Sequence, residues 1–208
     1  MIIGVSGNIG AGKSSLVSLL ERELGYNAVY EAVSENPYLE DFYRDMKKWS
    51  FHSQLYFLIK RFDFLKNVPE DVGIYVQDRT IYEDVEIFAK NLHLLGYIDD
   101  RDWETYLELF RTFSDHLPTP SGLIYIRASF GTLVERISKR GRKFEKAIDI
   151  DYLVRLNDLY ERWFSDFDMC EKMVIDGDRY DFVESVEDRE YVLRMVREFI
   201  ESLDEKSE

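Results

Sequence analysis

Short apolar runs bounded by turn residues alternate along the chain with longer stretches in which apolar residues recur every three or four positions. The first pattern predicts strands buried in a parallel sheet, and the second predicts helices laid over it. Five runs read as strands: Met1–Val5, Asn27–Glu31, Gly73–Gln77, Leu123–Arg127 and Met173–Asp176. Helices are predicted at Lys13–Leu24, Pro37–Met46, Trp49–Asn67, Ile81–Leu95, Arg101–His116, Phe130–Arg140, Asp151–Phe167 and Arg189–Leu203. In the last of these, Val192, Val196, Phe199, Ile200 and Leu203 fall on one face. Alternating strands and helices make an α/β fold, a parallel sheet wrapped by helices. No repeat, low-complexity tract or Pro/Ser-rich linker divides the 208 residues. One domain is therefore expected over 1–208, with a frayed acidic tail at 204–208.

Between the first strand and the first helix, Gly7-Asn8-Ile9-Gly10-Ala11-Gly12-Lys13-Ser14 matches GxxxxGK[ST] in full, with Ser15 following. Glycines lack Cβ, so backbone N–H groups can approach phosphate oxygens closely and form an anion cradle at the helix start. Lys13 is placed to bridge β- and γ-phosphates and the Ser14 hydroxyl to ligate Mg²⁺. A chance glycine turn capped by Ser14 is the bland alternative, and the strand–loop–helix context disfavours it. No NKxD stretch accompanies the loop, which points to ATP over GTP.

Asp78 closes the run GIYVQDRT at the rim where open α/β sheets place ligand chemistry. A carboxylate there can hold Mg²⁺ directly or through water, and Arg79 can meet an oxyanion. The alternative is a helix cap and a surface ion pair. The stretch RISKRGRK places Arg136, Lys139, Arg140, Arg142 and Lys143 together, with Gly141 as a joint. Beside a phosphate loop, this basic segment reads as a lid, about 136–149, that closes over ATP; alone, it would be a solvated helix end complementing the helix dipole.

Composition narrows the picture. A formal net charge of −14 argues against attraction to nucleic acid or anionic lipid. Cys170 is the single cysteine, which excludes an internal disulfide and points to a reducing, cytoplasmic compartment. The apolar N-terminus is too short for a signal peptide or membrane span, and no later run approaches about 18 apolar residues. His52, His93 and His116 lie far apart, without metal-ligand spacing.

The set GNIGAGKSS, YEAVSENPYLEDFY, WSFHSQLYFLIKRF, VQDRTIYED and KRGRKFE resembles the deoxyribonucleoside kinase family, most closely its bacterial deoxyadenosine/deoxycytidine kinase branch. The resemblance covers nearly the whole chain, in order. It implies a P-loop kinase fold with a five-stranded parallel sheet surrounded by helices, a homodimer packed through helices, and transfer of the ATP γ-phosphate to a nucleoside 5′-OH. It also assigns residues. Glu31 matches the general base, Arg79 the arginine near the 5′-OH, and Arg136, Arg140 and Arg142 the lid arginines. Tyr43 and Glu145 match the residues that hold the sugar 3′-OH, and Gln54, Arg61 and Asp84 those that recognise the base.

Physical readings stand beside these matches. Glu31 at the end of the second strand faces the same rim as Asp78, and an ordinary Glu is ionised at neutral pH. A second role for it is orienting Arg79 or Mg²⁺. Gln54 and Arg61 are seven apart and share a helix face. Without the resemblance, Gln54 would be a solvated residue and Arg61–Asp84 a structural salt bridge. Of Phe51, Tyr56, Phe57, Phe88 and Phe113, one or two are expected at the ligand and the rest in the core. Asp78-Arg79-Thr80 is a conservative version of the family's acidic-Arg-Ser triplet, while Lys143 and Phe144 stand at lid positions often acidic in relatives. The Gln54/Arg61/Asp84 set leans towards deoxyadenosine or deoxycytidine, with deoxyguanosine open. Two alternatives remain at this point: a thymidylate-type nucleoside monophosphate kinase, and a non-catalytic nucleotide-binding relative.

Overall fold

Every residue of β1 (Ile2–Ser6) is buried, because this strand runs through the middle of the sheet. It pairs in parallel with β3 (Tyr75–Asp78) on one side and β4 (Gly122–Arg127) on the other. β2 (Asn27–Val29) flanks β3 and β5 (Glu171–Asp176) flanks β4, giving the all-parallel order β2-β3-β1-β4-β5. The expected five-stranded sheet is thus present. The structure, a computed structural model, describes residues 1–69, 73–142, 145 and 148–205. Lys143, Phe144 and the last three residues of the tail lie outside the described residues.

The sheet is covered on both faces by α1 (Lys13–Leu24), α2 (Leu39–Arg44), α3 (Met46–Leu65), α4 (Ile81–Glu83), α5 (Lys90–Leu94), α6 (Asp100–Ser114), α7 (Phe130–Arg140), α8 (Ile150–Asp166) and α9 (Val186–Glu205). Strand alternation sorts the core. Ile124 and Ile126 of β4 pack with Leu16, Leu20, Val196 and Ile200 of α1 and α9. Leu123 and Tyr125 face Leu58, Ile87, Leu156 and Tyr160 on the other side.

Several element ends shift by one to three residues from expectation, and three departures bear on the site. β2 ends at Val29, so Glu31 does not close the strand. Its carbonyl instead accepts the Val33 N–H at 2.8 Å, a tight turn that carries the chain off the sheet edge. Asp45, at φ −146° and ψ 81°, ends α2, and its side chain then accepts the Lys48 N–H to cap α3, which starts at Met46 rather than Trp49. The single helix expected over Ile81–Leu95 is a helical run in three parts, since a π-helical turn, Asp84–Ala89, separates α4 from α5.

Candidate active site

The loop between β1 and α1 is shaped for close backbone approach. A Cβ on Gly10 (φ +88°) would lie 2.8 Å from the Leu133 carbonyl oxygen, so only glycine fits. The loop is pinned from outside: Asn8 donates to the Leu153 carbonyl and to Asn157 Oδ1, both at 3.2 Å. Arg136 of α7 donates to the Ala11 carbonyl at 2.9 Å and to the Gly177 carbonyl at 2.7 Å. Lys13 is buried, and its Nζ donates back to the Asn8 carbonyl at 3.1 Å. Burial, helped by Arg79, pushes its pKa down to about 8 against the pull of Asp78 and Glu31.

The Ser14 hydroxyl donates to Asp78 Oδ2, which joins the start of α1 to the end of β3. Asp78 Oδ1 is buried without a hydrogen-bond partner. A hydroxyl and a carboxylate in contact, with one carboxylate oxygen unspent, form a donor set of hard oxygens that fits Mg²⁺. Among the described residues there is no cluster of three His, Cys, Asp or Glu able to hold a metal alone. Bound Mg²⁺ would therefore need further oxygens, such as those of a phosphate ligand.

Beside this pair stands Arg79, the only non-glycine residue with positive φ (72°) among those described. Its N–H donates to the Val5 carbonyl at 2.9 Å, extending the β3–β1 ladder, and the chain then turns into α4. Its guanidinium stacks on Phe88 at 4.0 Å and meets Glu31 Oε1 at 3.1 Å. Burial alone would raise the Glu31 pKa, but Arg79, then Arg61 and Lys13, outweigh it and hold the carboxyl below its ordinary value. Glu31 is therefore a carboxylate in the folded protein.

Arg61 is spent on protein groups. Its Nε and Nη2 grip Asp84 at 2.6 and 3.2 Å, and Nη1 donates to the carbonyls of Asp78 and Arg79 at 3.2 and 2.6 Å. Its Nη2 also lies 3.6 Å from Glu31 Oε1. Glu83, which the sequence reading missed, is fully buried; it accepts from the Thr80 N–H at 2.7 Å, the Thr80 hydroxyl at 3.0 Å and the Tyr160 hydroxyl at 3.0 Å. The spacing Thr80-x-x-Glu83 is a capping box, the signal that would have found it.

One cleft brings together Ile9, Gly10, Lys13, Ser14, Glu31, Tyr43, Gln54, Asp78, Arg79, Asp84, Arg140, Arg142 and Glu145. Gln54 is 4% exposed, so it is no solvated helix residue. Phe57 and Phe88 line the cleft among the aromatic candidates, while Phe113 stacks on Phe62 at 4.2 Å. Over the cleft, Arg140 grips Glu145 at 2.6 and 3.0 Å, and Arg142 reaches the same carboxylate at 3.4 Å. With this cover in place the free volume is ≈ 70 Å³, room for a few waters only. Arg61 lies behind the cleft and Arg136 behind the loop. Gly7, Asn8, Ala11, Gly12 and Ser15 shape and anchor the loop rather than line the cleft.

The chain is similar to known proteins over nearly its whole length. The family model described as deoxynucleoside kinase matches residues 3–201. Over 184 residues the chain is 40% identical to a deoxyadenosine/deoxycytidine kinase of Bacillus subtilis, covering 88% of this chain and 85% of that one. Over 205 residues it is 42% identical to a deoxyguanosine kinase of Lactobacillus acidophilus, covering 94% and 89%. The solved deoxyadenosine kinase from M. mycoides with bound dATP superposes with a TM-score of 0.80 at 32% identity, covering 95% of this chain and 99% of that chain.

Proposed function

The chain belongs to the deoxynucleoside kinase family, ATP-dependent phosphotransferases, and on that premise we propose which of its residues carry the transfer. The observation that carries the proposal is the Glu31 carboxyl group, 3.1 Å from Arg79 and on the same cleft as Lys13 and the Ser14–Asp78 pair. Glu31 accepts the proton of the nucleoside 5′-OH as its oxygen bonds to the γ-phosphorus and the bond to the ADP oxygen breaks. Arg79 orients the attacking oxygen and keeps Glu31 ionised. Lys13, Arg140 and Arg142 stabilise charge on the transferring phosphoryl group, and Arg136 holds the loop through Ala11.

Mg²⁺, held by Ser14 and Asp78, would neutralise phosphate charge when bound. Gly7 to Ser15 cradle the triphosphate. Tyr43 and Glu145 hold the sugar, and Gln54 reads the base edge with its paired donor and acceptor. Arg61 and Asp84 act as one unit behind it. This edge chemistry favours deoxyadenosine or deoxycytidine, although relatives named for deoxyguanosine are equally similar. Glu145 arrives on the segment that follows Gly141, whose φ of 68° makes it the joint on which the lid opens to admit substrate.

A cytoplasmic homodimer completes the reading. α6 buries only Tyr106 completely and leaves Trp103, Leu107 and Phe110 half-buried, an apolar face suited to a second copy. The deciding experiment is a phosphorylation panel with ATP and Mg²⁺ over deoxyadenosine, deoxycytidine, deoxyguanosine and thymidine monophosphate. Turnover of the first two above the rest is expected; preference for the monophosphate would reject the assignment.

A further inference from the structure

One face of α8 reaches both halves of the site. Leu153, Asn157 and Tyr160 fall at i, i+4 and i+7 along that helix. On the donor side, the Leu153 carbonyl and Asn157 Oδ1 accept from the Asn8 amide of the phosphate loop, both at 3.2 Å. On the acceptor side, the Tyr160 hydroxyl donates to Glu83 Oε1 at 3.0 Å, between two fully buried side chains.

From Tyr160, two routes close on Arg79. The first runs through Glu83, whose Oε2 accepts the Thr80 N–H at 2.7 Å and the Thr80 hydroxyl at 3.0 Å, and Thr80 is next in the chain to Arg79. The second runs through the Tyr160 ring, which meets Phe88 edge-on with centroids 6.2 Å apart, while Phe88 carries the Arg79 guanidinium at 4.0 Å. The backbone of Arg79 and its guanidinium are thus both tied to one residue of α8. Helix capping does not account for this. The cap of α4 uses only Glu83 Oε2, whereas Oε1 is spent on Tyr160. A fully buried carboxyl group also carries a desolvation cost that an apolar residue would avoid.

We propose that Tyr160 is a positioning residue for the transfer: acting through Glu83 and Phe88, it fixes Arg79 relative to the phosphate loop that the same helix face holds at Asn8. The proposal rests on Arg79 orienting the attacking oxygen. α8 is then the common spine that sets the phosphoryl donor and the acceptor hydroxyl at reacting distance, where a misplacement of about 1 Å can cost about 100-fold in rate.

Tyr160→Phe keeps the ring against Phe88 and removes only the hydroxyl. With ATP, Mg²⁺ and the deoxynucleoside that the parent turns over fastest, kcat should fall about 10- to 100-fold while the KM for ATP stays within about twofold. The same substitution made on Arg79→Lys should lower kcat by less than about twofold, because the side chain it positions is already gone. A purely structural role would lower kcat by the same factor in both backgrounds. That result, or an unchanged kcat in Tyr160→Phe alone, overturns the proposal. Glu83→Gln, which replaces one oxygen of the carboxyl group, carries the same cycle and decides it if Tyr160→Phe does not fold. Full kcat in Arg79→Lys alone is a separate failure, which removes the role of Arg79 and this proposal with it.

Discussion

Arg61 Nη1 donates a 2.6 Å hydrogen bond to the main-chain carbonyl of Arg79, the residue whose backbone is held in the left-handed region. That conformation costs a residue with a Cβ about 1–2 kcal/mol. It persists here because the turn is fixed from three sides: the Val5 carbonyl, the Thr80–Glu83 capping box and Arg61. A side chain of α3 thereby sets the direction in which the Arg79 guanidinium leaves the end of β3.

Removing Arg61 separates this positioning from stability. Arg61→Met leaves the Asp84 carboxylate buried and unpaired, which should cost about 3–5 kcal/mol in urea unfolding. Adding Asp84→Leu removes the orphan charge and should return most of that loss. Turnover should stay low in the double variant, because Arg79 is no longer clamped. Recovery of turnover together with stability would show that Arg61 does not position it.

Glu31→Gln keeps size and hydrogen bonding but cannot take a proton. A 100- to 10,000-fold fall in kcat is expected, roughly the worth of a positioned base, with the KM for ATP little changed. Because Arg79, Arg61 and Lys13 outweigh burial at Glu31, the acid limb of the parent's pH–rate profile should lie below the ordinary carboxylate range. A limb near neutrality that vanishes in Glu31→Gln would contradict this.

Lys13 makes a stability prediction with a definite sign. Its folded pKa of about 8 lies below its usual value of 10.5. Between those pH values the unfolded chain holds a proton that the folded chain lacks, so Lys13 makes stability rise with pH across that window. Below pH 8 the cost of burying the ammonium is fully present. At pH 7, Lys13→Met should therefore stabilise the ligand-free protein by about 2–3 kcal/mol and abolish turnover. Denaturant melts repeated at pH 10 should show most of that advantage gone.

Gly10→Ala tests the loop without touching its charged groups. The new Cβ would meet the Leu133 carbonyl oxygen at 2.8 Å on a backbone at φ +88°. A loss of about 1–3 kcal/mol in stability is expected from such strain, together with a raised KM for ATP. Equal stability and unchanged ATP kinetics would mean that the loop has room the geometry denies.

How much of this could be read from the chain depends on how far each feature reaches. The phosphate loop is local and contiguous, and α1 spans Lys13–Leu24 in structure as in expectation. The identity of Glu31 was legible, but not its place in a turn beyond β2, because an edge strand's length is set by how far β3 accompanies it. Periodicity put Gln54 and Arg61 on one helix face. It gave no sign that the Arg61 guanidinium would reach the carbonyls of Asp78 and Arg79, contacts made across the fold. Arg136 likewise read as a lid arginine, yet its partners at Ala11 and Gly177 belong to two other loops. The π-helical turn left no trace, since the apolar spacing of Val85, Ile87, Phe88 and Ala89 fits a wider turn as well as an α-helix.

That turn carries a consequence for the length of the chain. A π turn is an α-helix that has absorbed one surplus residue within itself. Excising a single position from Asp84–Ala89, Glu86 for instance, should let the segment close into an unbroken α-helix with α4 and α5 keeping their seats. The angle between Asp84 and Phe88, both on the cleft wall, would change, and little else. Here a lost codon would be read as a change of pocket rather than a failure to fold, so chains one residue apart at this point can share an architecture and part company in what they bind.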